Sequence, residues 1–355
     1  MTILERNQDT ASGKFTGEAL NLDKNHSMAA SEACCSASQD NGYVRQEPYT
    51  YCIFQESWWL DAIVPGAWDA IEVGSNGQVD ARHTYHVVCR AGVKAITMPL
   101  LASYMGPWVR EASDKLTVQT KFTQDALDEV IPKLPKVSYF DQSFHPRMSY
   151  WLPFYRAGYE GHSQQNHAII GPQNYSTVFK RFGTNRRRFI RLAGKNLELD
   201  TNPDDNTVMD MVDKTYPAKG LRLLNRDYVS RIFEACKRRG RLLKWVARDE
   251  DGNVHAANAA IRDDHTVYGL ISGFDRQFPK SNASEFLMSE MIRYACDNGL
   301  SFDFSGSVVK SIEFRNLSLG ATPIHFLSVR RASLGGKVLY AARKHFLNAT
   351  RNFLE

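Results

Sequence analysis

An α+β fold with mixed α/β sheets is predicted by three features of this sequence. Residues 242–248 and 254–261 read as two strands across the turn Asp249-Glu250-Asp251-Gly252-Asn253, a clear hairpin signal, with residues 266–272 as a third strand. From 281 to 331 a helix, a strand, a second helix and a second strand follow in close succession. The N-terminal half opens with a short helix and a strand pair of its own.

Taken in order, residues 1–42 are polar, rich in Ser, Ala, Asn and Gln, and without periodicity, which predicts a disordered or loosely held leader. Residues 56–62 predict a short amphipathic helix. Residues 68–73 and 84–89 predict strands joined through Gly74-Ser75-Asn76-Gly77, and residues 94–108 continue the sheet or leave it as a loop. A helix is expected over 123–134 and a strand over 137–140. The following stretch, Phe140-Asp141-Gln142-Ser143-Phe144-His145 and Trp151-Leu152-Pro153-Phe154-Tyr155, is dense in aromatics and is expected in a loop. Its rings either pack an interface or bind a ligand.

Residues 175–192 predict one basic helix, with Phe179, Phe182, Phe189 and Ile190 set among arginines, and helices follow at 205–215 and 227–239. Asn282 with Glu285 three residues on forms the pattern of a capping box for a helix carrying Phe286, Leu287, Met291, Ile292 and Ala295; Gly299 ends it. Residues 300–306 read as a strand that puts Asp303 and Ser305 on the face opposite Phe302 and Phe304. Residues 308–319 read as a helix closed by Gly320, residues 323–329 as a strand, and residues 338–354 as an amphipathic helix.

Length and composition narrow the function. The 355 residues suffice for two domains, and 43% apolar with 23% charged residues is ordinary for a globular protein. No run of about 18 apolar residues occurs, and the N-terminus has no apolar core segment of the secretory kind, so a cytoplasmic location is expected. The six cysteines have neither metal-site spacing nor the density of a disulfide scaffold, so no metal is expected. The net charge of +5 is modest, but Arg186, Arg187, Arg188 and Arg191 cluster, as do Lys237, Arg238, Arg239, Arg241 and Lys244. Such clusters suit a solvated helix face or a polyanionic ligand such as coenzyme A, a nucleotide sugar, tRNA or an anionic membrane surface. Gly-x-Ser-x-Gly, Walker and His-Glu-x-x-His motifs are absent, which leaves serine hydrolase, NTPase and zinc protease chemistry without a handle.

The text Phe302-Asp303-Phe304-Ser305-Gly306-Ser307, then Ile312-Glu313-Phe314-Arg315 and Leu319-Gly320-Ala321, resembles the C-terminal signature of the FemAB-like, GNAT-type acyltransferases. Thr97-Met98-Pro99, Gly106-Pro107-Trp108 and Asn185-Arg186-Arg187 extend the resemblance over about 51–331. It implies two tandem GNAT-like domains, at 43–172 and 173–332, with 333–355 as a C-terminal helix that caps the second domain or touches a membrane surface. It further implies transfer of an acyl group from acetyl-CoA or another acyl-CoA to an amino group of a sugar or peptide-like acceptor. An amino-bearing glycan or a nucleotide-sugar would then be the partner, in polysaccharide biosynthesis. The Fem branch of this group implies aminoacyl-tRNA as donor instead, and a catalytically inactive binding protein of the same fold is the third alternative.

In such a fold the donor binds where residues 266–272 and 300–305 splay apart. Acyl transfer needs an oxyanion donor, a route for the acceptor proton and an anchor for donor phosphates. Gly269 suits a bulge serving the oxyanion; Asp303 or Asp141 takes the proton; Arg315 holds a phosphate or polarises the carbonyl. Gln142, His145, Trp151, Tyr155, Ser305 and Phe314, with Gly269, form the expected substrate contacts. The second helix of the Fem branch carries an aromatic-plus-cation pair, matched by Phe314-Arg315, where Lys is the more usual cation. The Arg/Gln-x-x-Gly-x-Gly/Ala loop of coenzyme A users is missing, and Lys280, Ser281 and Asn282 at the helix N-terminus are the expected anion contacts in its place.

Overall fold

A computed structural model describes residues 43–90, 92–216, 225–305 and 310–333. The expected leader at 1–42 and the expected helix at 338–354 lie outside the described residues.

The chain alternates strands and helices: α1 (Ser57–Ile63), β1 (Trp68–Ser75), β2 (Gln78–Arg90), β3 (Val93–Ile96), β4 (Gly106–Val109), α2 (Leu116–Val130), β5 (Tyr139–Ser143), α3 (Leu152–Arg156) and β6 (Glu160–Ile169) form its first part. The second part comprises α4 (Tyr175–Arg181), α5 (Thr184–Asn196), β7 (Glu198–Asp200), α6 (Asp205–Thr215), α7 (Arg226–Lys237), β8 (Leu242–Arg248), β9 (Val254–Arg262), β10 (Thr266–Phe274), α8 (Ala283–Asp297), β11 (Ser301–Asp303), α9 (Lys310–Ser318) and β12 (Thr322–Ala332). The expected α+β class is what these elements build. All twelve strands join one mixed sheet in the order β1-β2-β3-β5-β12-β6-β11-β10-β9-β8-β7, with β4 paired to β2.

The two parts repeat one motif. Each contains a parallel pair, β3 with β5 and β10 with β11, and each ends in a long strand, β6 or β12. The long strands are exchanged. β12 pairs antiparallel with β5 of the first part, β6 pairs antiparallel with β11 of the second, and the two pair with each other from Thr322↔Ala168 to Arg330↔Glu160. The boundary expected at 172/173 therefore falls just after β6, while the sheet runs through it without interruption.

The sequence of β9 explains how the second part packs. Its alternate alanines serve opposite faces: Ala256 and Ala260 join the core with Leu287 and Met291 of α8, while Ala257 and Ala259 join Val208 and Val212 of α6. A strand covered by a helix on each side loses the polar alternation of a half-exposed one, and small side chains let both helices approach. The approach is closest at Gly273 of β10, where an added Cβ would lie 2.2 Å from the Met211 backbone of α6. The β8–β9 turn forms as predicted, with Gly252 at φ +82° and Asp249 Oδ1 accepting from Asn253 N at 2.8 Å.

Several expected elements differ in detail. The helix expected over 123–134 starts earlier and ends earlier, as α2. The single basic helix expected over 175–192 is two helices, because Phe182 is extended and Gly183 N donates to Ser318 O at 2.8 Å; docking on the end of α9 breaks the run. The capping box does not form. Asn282 sits at φ 57° and ψ 22° without capping α8, its Nδ2 donates to Lys280 O, and Glu285 pairs instead with Arg186. Asp141 and Gln142, expected in a loop, lie within β5. Among the described residues no helix is long and apolar enough to cross a membrane.

Candidate active site

The parallel pairing of β10 with β11 lasts only three residues, Thr266↔Ser301 to Tyr268↔Asp303. Beyond it the strands part. At the same level the β9–β10 register shifts between Gly269 and Ile271, so Leu270 is the extra residue of a bulge and stands outside the ladder with β9. The bulge expected at Gly269 is present. An added Cβ there would meet nothing closer than 3.9 Å, so its glycine marks the bulge and not a steric limit.

Asp303 ends β11 and is 3% exposed. Three donors surround its carboxylate: Asn166 Nδ2 to Oδ1 at 2.7 Å, Ser305 N to Oδ1 at 2.6 Å and Tyr104 Oη to Oδ2 at 3.1 Å. Ser305 at φ 57° turns the chain back so that its N–H reaches the carboxylate, an Asx-type arrangement. Burial pushes the Asp303 pKa up to about 6, against the opposing pull of its hydrogen bonds. Asn166 also donates to Tyr104 Oη at 2.9 Å, closing a Tyr104–Asn166–Asp303 triangle, and burial drives the Tyr104 phenol far above its ordinary range.

The triangle backs a cavity of about 420 Å³ whose wall includes Tyr104, Asn166, Ser305, Gly269, Leu270 and Phe326. Asp303 is not in that wall. Tyr104 and Asn166, both bonded to the Asp303 carboxylate, do line it, so they connect the carboxylate to the cavity wall.

A second cavity of about 600 Å³ opens at the N-terminus of α8, between that helix, the end of β10 and α9. Ser281, Asn282, Ser284, Arg276, Phe278 and Arg315 line it. Asn282 does not cap α8; Ser281 Oγ accepts from Ala283 N at 3.3 Å, and Ser284 and Glu285 of the first turn line this space. The Arg315 guanidinium reaches only Asn316 Oδ1, at 3.2 and 3.4 Å, and has no carboxylate within ion-pair distance among the described residues. Burial pulls its pKa down, with Glu285 opposing, yet a guanidinium stays charged at neutral pH. A half-buried cation and a helix N-terminus converge on one cleft, a donor set of the kind an anion requires.

The other expected site residues divide. Gly269 and Ser305 line the smaller cavity; Ser281, Asn282 and Arg315 line the larger; Lys280 lines an adjoining cavity that shares Ser281 and Asn282. Phe314 is 70% exposed and lines neither of the two main cavities. Asp141 is held in the first part by Arg330 at 3.1 Å, Ser328 and Tyr139, away from both cavities. Gln142 is fully buried as a tie between β5 and β2, bonding His83 Nε2 at 2.7 Å and Thr84 O at 3.1 Å. Trp151 packs over Gly161 and Tyr155 is 64% exposed, so the aromatic stretch of α3 covers the first core and lines neither main cavity. His145 stacks on Tyr51 and meets Tyr104 edge-on at 5.2 Å; desolvation lowers its pKa to about 3, so it supports the Tyr104 ring as a neutral group.

Tyr104 and Asn166 escaped the sequence reading. Asn166 lies in the polar run Gln164-Gln165-Asn166-His167, to which the sequence reading assigns no element, and Asn166 and His167 are both 2% exposed. A buried polar pair within a strand is a signal of a site, but only the strand exchange reveals the burial.

The parallel strands β10 and β11 thus part beside a bulge, with the N-terminus of α8 on one side. Residues 177–309 match the Acetyltransferase (GNAT) domain model, and the chain carries a GNAT acyltransferase domain over that segment. Such a domain implies an acyl-CoA cosubstrate in general. Among solved structures the fold is similar to that of FemX, at 12% identity and a TM-score of 0.62, covering 81% of this chain and 93% of that one. It is also similar to the C-terminal domain (DUF2156) of a putative lysylphosphatidylglycerol synthetase from Agrobacterium fabrum, at 11% identity and a TM-score of 0.50, covering 81% and 91%. No curated protein matches the sequence.

Proposed function

We propose that the chain is an N-acyltransferase that takes its acyl group from a coenzyme A thioester in the α8 cavity and passes it to a primary amine in the smaller one. The tandem reading of the two halves belongs to the same proposal, supported by the repeated parallel pairs and their exchanged final strands. The observation that carries it is the Tyr104–Asp303 hydrogen bond at the point where β10 and β11 separate.

The thioester supplies an activated carbonyl carbon and a thiolate leaving group. The first-turn N–H groups of α8, with Arg276 and Arg315, hold the phosphates. Leu270, out of the ladder at the bulge, offers a backbone N–H to the carbonyl oxygen. Tyr104 Oη accepts the proton of the attacking amine as its own proton passes 3.1 Å to Asp303 Oδ2. Asp303, with its pKa raised to about 6, is ionised at neutral pH and more basic than an ordinary carboxylate, which suits it to receive that proton. Asn166 and Ser305 N hold the carboxylate in place.

The test is thiol release from acetyl-CoA in the presence of a panel of primary amines, with wild type and Tyr104→Phe. Amine-dependent release by the wild type, reduced about 10²-fold or more in the variant, supports the reading; equal rates in both remove Tyr104 from the chemistry. A second donor, aminoacyl-tRNA, is favoured by one observation. On α5, Arg188, Arg191 and Lys195 are exposed, while Phe189 of the same helix lines the donor cavity, so a basic stripe flanks that site and suits a nucleic-acid backbone.

A further inference from the structure

The acceptor cavity differs from the donor cavity in one respect that bears on its ligand. Among the described residues its wall contains no charged side chain. Its polar lining residues are Ser103, Tyr104, Ser305, Gln164, Gln165 and Asn166, of which Tyr104 and Asn166 are buried and bonded to each other and to Asp303, so Ser103, Gln164 and Gln165 offer the freer hydroxyl and amides; its apolar residues include Phe54 and Phe326. Hydroxyls and primary amides both donate and accept, so they match ligand hydroxyls in either role, whereas a phosphate or carboxylate calls for cations or a cluster of donors. Aromatic rings beside amides suit the mixed C–H and O–H surface of a sugar.

The field behind this wall points the same way. Asp303 lies beneath Tyr104, and Asp263, fully buried, is close enough to raise the Asp303 pKa further. Asp263 is held by Ile53 N, His265 N, Thr266 N and Tyr268 Oη, with no cation among those partners. Two buried carboxylates under a neutral wall attract an ammonium group and repel an anion.

We propose that the acceptor is an amine borne on an uncharged, hydroxyl-rich body, an amino sugar or neutral amino glycan, and that the site discriminates against phosphorylated and nucleotide-linked acceptors. This rests on the acyltransferase reading above. In the reaction the amine nitrogen bonds to the thioester carbonyl carbon and the C–S bond breaks; the amine proton is taken up through Tyr104 by Asp303, which gives a proton back to solvent as the thiolate takes one from it, so that amide and free coenzyme A are the products.

The experiment compares glucosamine with glucosamine 6-phosphate, which differ by one phosphate, as acceptors for acetyl-CoA, following thiol release and measuring binding of each sugar by calorimetry. The expected result is a kcat/KM at least tenfold higher for glucosamine. Gln165→Arg, on an exposed position of the cavity wall, should narrow or reverse that preference. Equal or better use of the phosphate ester by the wild type overturns the proposal and leaves the acyltransferase reading intact. So does failure to bind or acylate either sugar while another amine is acylated. Absence of acetyl-CoA binding, measured in the same calorimeter without sugar, instead defeats the acyltransferase reading itself.

Discussion

Asn166 Nδ2 lies 2.7 Å from Asp303 Oδ1, although 137 positions separate the two residues. The contact exists because β6, the last strand of the first part, pairs with β11 of the second at Asp303↔Ala168 and Phe302↔Ile169. The carboxylate and its backbone donor Ser305 N come from one half, and its side-chain donors Asn166 and Tyr104 from the other. Strand exchange therefore assembles the site.

Asp303→Asn should lower kcat by about 10²–10⁴-fold, the usual contribution of a positioned proton acceptor. The fold should survive, because an amide fills the same space and retains an acceptor oxygen for Asn166 and Ser305 N. Circular dichroism alongside thiol release checks both halves of this expectation; a variant with wild-type turnover removes Asp303 from the mechanism.

The pH dependence follows from the raised pKa. The active form needs ionised Asp303, so kcat/KM should rise with pH through about 6 and level off above it, and Asp303→Asn should lose that limb. Stability runs in the opposite direction. A carboxylate raised from 3.8 to about 6 on folding favours the folded state while protonated, and that advantage is lost as pH climbs from about 4 to 6. The loss is on the order of 3 kcal/mol. Denaturation at pH 4 and pH 7 should accordingly show Asp303→Asn gaining on the wild type at the higher pH, and a constant difference would contradict the assignment.

Glu56 and Arg241 form a fully buried ion pair that joins the start of α1 to the start of β8, with Trp58 Nε1 also donating to Glu56 at 2.8 Å. Burial raises the Glu56 pKa while Arg241 opposes it. Glu56→Gln leaves the guanidinium buried without a countercharge and should cost about 3–5 kcal/mol. Urea denaturation measures this; a change within 1 kcal/mol would mean that solvent reaches Arg241.

The legible part of this protein is its local part. The β8–β9 hairpin and the β10 bulge at Gly269 depend on neighbouring residues, and the sequence displays them. The misread residues are those whose role is fixed by distant partners. Asn282 fits a cap by type, but α8 begins from a left-handed Asn282 that bonds Lys280. Asp141 fits a base by type, but β12 arrives beside β5 and ties it to Ser328 and Arg330. Tyr104, in the segment between β3 and β4, acquires its significance only when Asp303 is folded against it.

The central claim is that Arg315 and the α8 N-terminus hold a coenzyme A thioester, and calorimetric titration of the wild type and Arg315→Ala with acetyl-CoA tests it most directly. Saturable binding of micromolar order, about 8 kcal/mol, is predicted for the wild type. Loss of a charge-assisted contact should weaken the variant about ten- to a hundredfold. No binding by the wild type, together with salt-sensitive binding of charged tRNA, would contradict the claim and make the basic face of α5 the donor site.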